Sequence, residues 1–203
     1  MKKSSVKIKR PVRREQIVEA SLRVIAGGGV RALTTAAIAR EAGISEANLY
    51  NHFKNKEDIL IETVERIKKG LEDNVERALR PTTASPIKRL QRLFILHLDY
   101  IEKNAGIPRL VFSEEIHLGS AVLRERLLKT ISSYAAKLET IVKEGQRTNI
   151  INPTMRPASI VAMFIGLVQI MAMRWSLSGF SFPLVREGEK LWNDFLSGIT
   201  PRQ

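Results

Sequence analysis

The chain has 203 residues, of which 44% are hydrophobic and 27% charged, which is length and apolar content enough to bury one large core or two small ones and excludes a peptide, a fibre or a disordered chain. Cysteine is absent, so a disulfide framework, a thiolate zinc site and a cysteine nucleophile are excluded. Lys and Arg number 33 against 21 Asp and Glu, and the resulting net charge of +12 points to a polyanionic partner, either nucleic acid or an anionic membrane surface.

The charge is uneven. Up to Lys56 there are twelve basic and four acidic residues, a balance of +8, which leaves +4 for the other 147 residues. The first fourteen residues carry seven basic groups (Lys2, Lys3, Lys7, Lys9, Arg10, Arg13, Arg14) and no acid, and read either as an arm that follows a phosphate backbone or as a solvated tail. No apolar run follows these charges, so this is not a secretory signal, and a cytoplasmic location is expected.

Helical spacing begins with Ile17, Ala20, Ser21, Val24 and Ile25 on one face, ended by Gly27-Gly28-Gly29. Nothing along the chain reads as a strand, so the expected class is all-α, with about nine helices. Between Leu33 and Phe53 two helix starts lie eleven residues apart with Gly43 between them, the pattern of a helix-turn-helix. Thr34 and Ser45 are the expected N-caps, Leu33 with Ile38 and Ile44 with Leu49 the hydrophobic staples, and Gly43 the left-handed stop. Ile38, Ala39, Ala42, Leu49 and Phe53 then point inward. The second helix exposes Ser45, Glu46, Ala47, Asn48, Tyr50, Asn51 and His52. Asn48 suits adenine N6 and N7, Glu46 cytosine N4, and Ala47 a thymine methyl. Thr35, Ser45, Tyr50, His52, Lys54 and Lys56 are expected on phosphates, with Thr34 contributing beside Thr35. The alternatives are an ordinary capped hairpin, and for His52 a helix-end cation favoured by the dipole.

Leu33 to Leu60 closely resembles the DNA-binding signature of the tetracycline-repressor (TetR) family of transcriptional regulators. The resemblance rests on Thr34, Ile38-Ala39, Ala42-Gly43-Ile44-Ser45, Leu49-Tyr50, His52-Phe53, Lys56-Glu57 and Ile59-Leu60. It implies an all-helical homodimer, an N-terminal three-helix DNA-binding domain, and a C-terminal domain that binds a small molecule and dimerises through its last two long helices. Ala36 stands where many members have an Arg that reaches DNA, Ala37 where they often have an acid, and Ala47 where Gly or Pro is frequent; these departures bear on sequence preference.

Further helical patterns cover about Lys56 to Leu79, Ile87 to Lys103, Pro108 to His117, Ser120 to Gly145, Arg156 to Leu177 and Val185 to Ser197, with breaks at Pro81 to Pro86, Asn104-Ala105-Gly106, Gly119, Asn149 to Pro153 and Ser178 to Pro183. The expected division is residues 1–56 as arm and DNA-binding domain, and 57–203 as regulatory, ligand-binding and dimerisation domain. The stretch Ile160 to Met173 is lipid-like but only fourteen residues long and broken by Gly166 and Gln169, below the roughly 20 residues of a membrane span. Because the helix around it is apolar on more than one face, Phe164, Val168, Trp192 and Phe195 are expected at a dimer interface, the alternative being the centre of a monomeric bundle. Phe94, His97, Tyr100, Phe112, Ile116, His117, Tyr134, Met163, Leu167, Met171 and Trp175 are candidates for an apolar ligand pocket, or plain core. Glu114 and His117 show the Glu-x-x-His spacing of di-iron bundles in a single copy, too little for a metal site.

The expected function is a ligand-responsive transcriptional regulator, a repressor that binds a palindromic operator in double-stranded DNA as a homodimer and is released by a small apolar effector. Neither a cofactor nor a membrane partner is expected. An enzyme is disfavoured by three histidines, no cysteine and the absence of Gly-x-Ser-x-Gly, His-Glu-x-x-His or a glycine-rich phosphate loop. The alternative is a ligand-independent architectural or nucleoid-associated binder, which needs no pocket.

Overall fold

The computed structural model describes residues 10–80 and 83–201; Lys2, Lys3, Lys7 and Lys9 of the basic arm lie outside them. Among the described residues there are nine α-helices and no strand. Helix α1 (Arg10–Gly28) is followed by one tight turn at Val30–Ala32, then α2 (Thr35–Glu41), α3 (Glu46–Tyr50) and the long α4 (Lys56–Leu79). The body continues with α5 (Pro86–Lys103), α6 (Gly106–Val111), α7 (Ala121–Arg147), α8 (Pro157–Leu177) and α9 (Leu184–Ile199).

Most helices start where a side chain satisfies the free N–H groups of the first turn. Thr34 accepts from Ala37 N, Ser45 from Asn48 N, Asn55 from Asp58 N, Ser85 from Lys88 N and Ser120 from Leu123 N. Gly43, at φ 67°, takes the left-handed conformation that ends α2 and swings the chain into α3. Ile38, Ala39, Leu49 and Phe53 pack inward on Ile17, Val18, Leu22 and Ile25 of α1, and Ala42 and Ile44 close the edge. Helix α4 carries Ile59, Leu60 and Val64 into that cluster, then Ile67, Leu71 and Val75 into the body, so one apolar core runs the length of the chain.

Two expectations fail here for physical reasons. The single helix expected from Pro108 to His117 is interrupted, because Ser113 turns its hydroxyl onto Leu110 O at 2.7 Å and accepts from Ile116 N, competing with the helical ladder. The chain resumes as one wide turn at Glu115–Gly119 before α7. The second failure concerns Phe164, Val168, Trp192 and Phe195, expected at a dimer interface. All four are buried inside the protomer. Phe94, Phe164, Trp192 and Phe195 form one aromatic cluster with ring centroids 5.5–6.5 Å apart, and Val168 faces the cavity described below. The largest apolar groups gain most from leaving water and fill the protomer first. The outward face of α8 carries smaller or more flexible groups instead: Ala162, Met163, Gly166, Ile170, Met173 and Leu177. With 21 residues α8 has the length and composition to cross a membrane, yet one side of it is packed against α5, α6, α7 and α9.

Candidate nucleic-acid interface and internal cavity

Helix α3 is five residues long and only Leu49 of it is buried, so the rest of its side chains are available outside. Ser45, Glu46, Ala47, Tyr50 and Asn51 are exposed, while Asn48 and His52 are half-buried. Because Ser45 Oγ receives the Asn48 backbone N–H at 3.2 Å, the Asn48 carboxamide is not needed for capping. Glu46 is already engaged: Thr35 Oγ1 donates to its Oε2 at 2.9 Å, and Tyr50 OH reaches the same hydroxyl at 3.5 Å. This chain of contacts ties α2 to α3 across their exposed side and leaves one carboxylate oxygen of Glu46 outside it. Thr34 is exposed, its hydroxyl accepting from Ala37 N.

The segment after α3 is clamped from α1. Arg14 donates to His52 O at 2.5 Å, pairs with Glu62 at 2.7 Å and lies 4.1 Å above the Phe53 ring. Lys54 is exposed and its backbone N–H caps onto Asp58. Lys56, at the start of α4, sits 3.5 Å from Glu115 of the wide turn, and Arg31 stands 3.7 Å from Glu114 of the same segment. Cationic side chains thus border α3, and two of them also face acids of the body. The clamp by Arg14 was not anticipated from the sequence; its only signal was a basic residue one turn before the buried face of α1.

Inside the body, α4, α5, α6, α7 and α8 surround a cavity of about 80 Å³ that opens to solvent. Of the eleven candidate pocket residues, His97, Phe112 and Tyr134 line it. The rest are accounted for elsewhere. Phe94 is in the aromatic cluster, Tyr100 donates to Arg66 O over an acidic groove, Trp175 packs at a tilt against Phe180, and Ile116 and Met171 are buried without lining the cavity. Met163 is exposed, Leu167 is half-buried outside the cavity, and His117 is exposed with its ring near Val111 O. Residues missed in the sequence supply most of the wall, among them Ile67, Leu71, Leu127, Ile131 and Ile165, while Ile101, on the sequence-predicted face of His97, lines it too. They read as ordinary core from their spacing, since a cavity is a gap between helices that no single helix encodes.

The cavity has a hydrogen-bonding point but no fixed charge. His97 Nδ1 and Tyr134 OH lie 3.1 Å apart, Thr130 and Gln169 add two polar groups, and among the described residues no Lys, Arg, Asp or Glu lines the wall. Burial holds the His97 imidazolium down to a pKa of about 4 and pushes the Tyr134 phenol up. Both are therefore neutral at ordinary pH.

Helix α6 connects the two regions. Ile107, Pro108 and Val111 face the cavity, while Gly106 lies against the Leu22 carbonyl of α1, where an added Cβ would come within 2.2 Å. Arg109 of α6 donates to Ala26 O, also on α1.

Comparison with known proteins gives two kinds of likeness. Residues 17–63 match the family described as bacterial regulatory proteins, tetR family, and residues 86–176 match a tetracyclin repressor-like C-terminal domain. The chain is 25% identical over 185 residues to the nucleoid occlusion factor SlmA of Vibrio vulnificus, covering 91% of this chain and 94% of SlmA. Among solved structures, the fatty acid degradation regulator FadR of Bacillus halodurans superposes with a TM-score of 0.81 at 20% identity, covering the whole of both chains. FadR of Bacillus subtilis, a transcriptional regulator solved in complex with stearoyl-CoA, superposes with a TM-score of 0.76 at 24% identity over 91% of this chain and 98% of its own.

Proposed function

The chain belongs to the tetR family of bacterial regulatory proteins, and from that premise we propose that this DNA-binding regulator is a homodimeric repressor whose operator grip is released by a small, uncharged, apolar effector. In this reading residues 1–56 form the DNA-binding unit and 57–203 the regulatory body, with both duplex DNA and effector met in the cytoplasm. Asn48, Glu46 and Ala47 address base edges, and Thr34, Thr35, Ser45, Tyr50, Asn51, His52, Lys54 and Lys56 hold the backbone. Family membership assigns regulation rather than catalysis, and no residue is given a catalytic role.

The observation that carries the reading is α6, which walls the cavity on one side and packs on α1 on the other. A ligand that fills the cavity displaces α6, and α6 has no room to move without moving α1 and the α2–α3 unit packed on it. By linkage, DNA weakens effector binding by the same factor by which effector weakens DNA binding. The effector is uncharged because a carboxylate brought into this cavity finds no counter-charge, and an unpaired buried charge is expensive. The stearoyl-CoA in complex with Bacillus subtilis FadR joins an apolar acyl chain to a charged CoA, and only the acyl part matches this wall.

Dimerisation is assigned to the exposed side of α8. Met163, Ile170, Met173 and Leu177 form an apolar stripe, and Ala162 and Gly166 are small enough for a second copy of the helix to approach closely. Such a dimer presents two α3 helices to successive major grooves when they stand roughly 34–36 Å apart.

The test is selection of bound fragments from genomic DNA, followed by titration of the complex with two dyes of similar aromatic size, neutral N-phenyl-1-naphthylamine and the anionic anilinonaphthalene sulfonate. Site-specific binding weakened by the neutral dye, with the sulfonate at least about tenfold less effective, supports the reading. Equal affinity for all fragments with no response to either dye favours the alternative, a ligand-independent nucleoid-associated binder, to which the likeness to SlmA gives some weight.

A further inference from the structure

Just after α3, His52 is held by Arg14 of α1 and feels the charges of Arg10 and Arg13 on the same helix, three guanidiniums with unequal duties. Arg14 is consumed by structure, as its guanidinium serves His52 O, Glu62 and the Phe53 ring. Arg10 and Arg13, one turn and one residue earlier on the same helix, make no ion pair among the described residues. His52 has its Nδ1 buried without a hydrogen-bond partner. Its pKa is held below the usual histidine value by burial and then by Arg10, Arg13 and Arg14, with no carboxylate acting on it. On α4, Glu62 is already neutralised by Arg14 and Asp58 accepts from the Lys54 backbone N–H, and on the His52 side Lys54 adds another exposed cation. A patch in which three guanidiniums suppress a fourth positive charge lacks an anion.

We propose that Arg10, Arg13 and His52 form a phosphate-binding cluster of the DNA surface, separate from the base-reading positions of α3, and that His52 takes up a proton as the phosphate arrives. This rests on the DNA-binding reading and adds to it the residues of α1 and a proton. The sign follows from the charges. In the free protein burial, and then the arginines, hold His52 neutral at pH 7; a phosphate between the arginines offsets their repulsion, so the imidazolium gains ground in the complex. Binding that takes up a proton tightens as pH falls, through the window between the His52 pKa in the complex and its lower pKa in the free protein. The contact is to backbone and not to bases, so it applies to any duplex.

The experiment uses the full chain and a fluorescein-labelled 30-bp duplex of arbitrary sequence at low salt, because the contact is sequence-independent. Affinity is measured from pH 5.5 to 8 for the wild type, His52→Gln and Arg13→Gln, and the three histidine ring signals are titrated by NMR with and without the duplex, His52 being assigned by its loss in His52→Gln. Expected are wild-type binding about three- to tenfold tighter at pH 5.5 than at pH 7.5, a flattened profile in His52→Gln, and in Arg13→Gln a window moved to higher pH with a salt slope smaller by about one. A wild-type His52 signal whose midpoint rises when duplex is added supports the proposal by itself. If wild-type protein binds the duplex but His52 titrates identically with and without it, or His52→Gln keeps the full pH profile, this proposal is overturned while the DNA-binding reading stands. If the wild type does not bind duplex at any pH, both fall.

Discussion

Single residues divide here into those whose role is local, and so legible in the sequence, and those whose role depends on distant neighbours. Thr34, Ser45 and Gly43 belong to the first kind: a cap or a left-handed stop is set within four residues, and all three stand as the sequence reads them. Asn48 is free of capping duty, and Asn48→Ala is expected to leave affinity for arbitrary duplex within about twofold while flattening preference at one operator base pair by about 1–3 kcal/mol, checked by binding to a single-substitution operator series. Equal losses on every sequence would assign Asn48 to the backbone instead. His97 belongs to the second kind, since nothing around it in the sequence indicates a charge-free cavity. Its pKa near 4 in the folded protein lies below the 6.5 of an exposed imidazole, so the unfolded chain binds a proton between these values and the native chain does not. Stability is therefore fully present above pH 6.5 and declines as pH falls towards 4, by about 2–3 kcal/mol from this group. Urea unfolding of the wild type and His97→Gln at pH 7 and 4.5 measures it; the variant should lose about 2 kcal/mol less than the wild type.

At the scale of elements, helix periodicity locates the helices well but does not say which neighbour each face meets. The helix expected at Pro108 to His117 shows the limit, because Ser113 competes for its backbone and leaves α6 only six residues long. Phe164, Trp192 and Phe195 show another: a helix apolar on several faces demands cover on all of them, and the aromatic faces turn to the protomer. The short α6 gives a sharp prediction. Gly106→Ala places a methyl carbon about 2.2 Å from the Leu22 carbonyl, and rigid backbone cannot yield as a side chain would. Overpacking of this kind costs about 1–3 kcal/mol, and the strain falls on the α1–α6 contact. Thermal unfolding should show the loss, and duplex affinity should drop even without effector, whereas a change confined to stability would uncouple α6 from the DNA surface.

For the whole molecule, part of the charge asymmetry of the sequence becomes a spatial one: among the described residues, those from Arg10 to Lys56 carry eight basic and four acidic side chains, with a near-neutral body behind. The architecture was legible because each layer of it is a helix with a readable face. The cavity and the α8 stripe were not, because each is defined by what the other helices leave uncovered. Placing a carboxylate in that stripe tests the assembly: Ile170, 41% exposed, should tolerate Ile170→Glu without unfolding the protomer. Sedimentation should then report a monomer, and operator affinity should fall at least about a hundredfold as one of two half-sites is released; a dimer retained in Ile170→Glu would move the interface elsewhere. Helix α3, finally, buries Leu49 alone and is tied to α2 at its surface only through Glu46 and Tyr50. The Ala47 and Asn48 side chains take no part in those ties, so a few point changes there can give the protein a new set of target genes while the sensor behind it, and whatever it senses, is inherited intact.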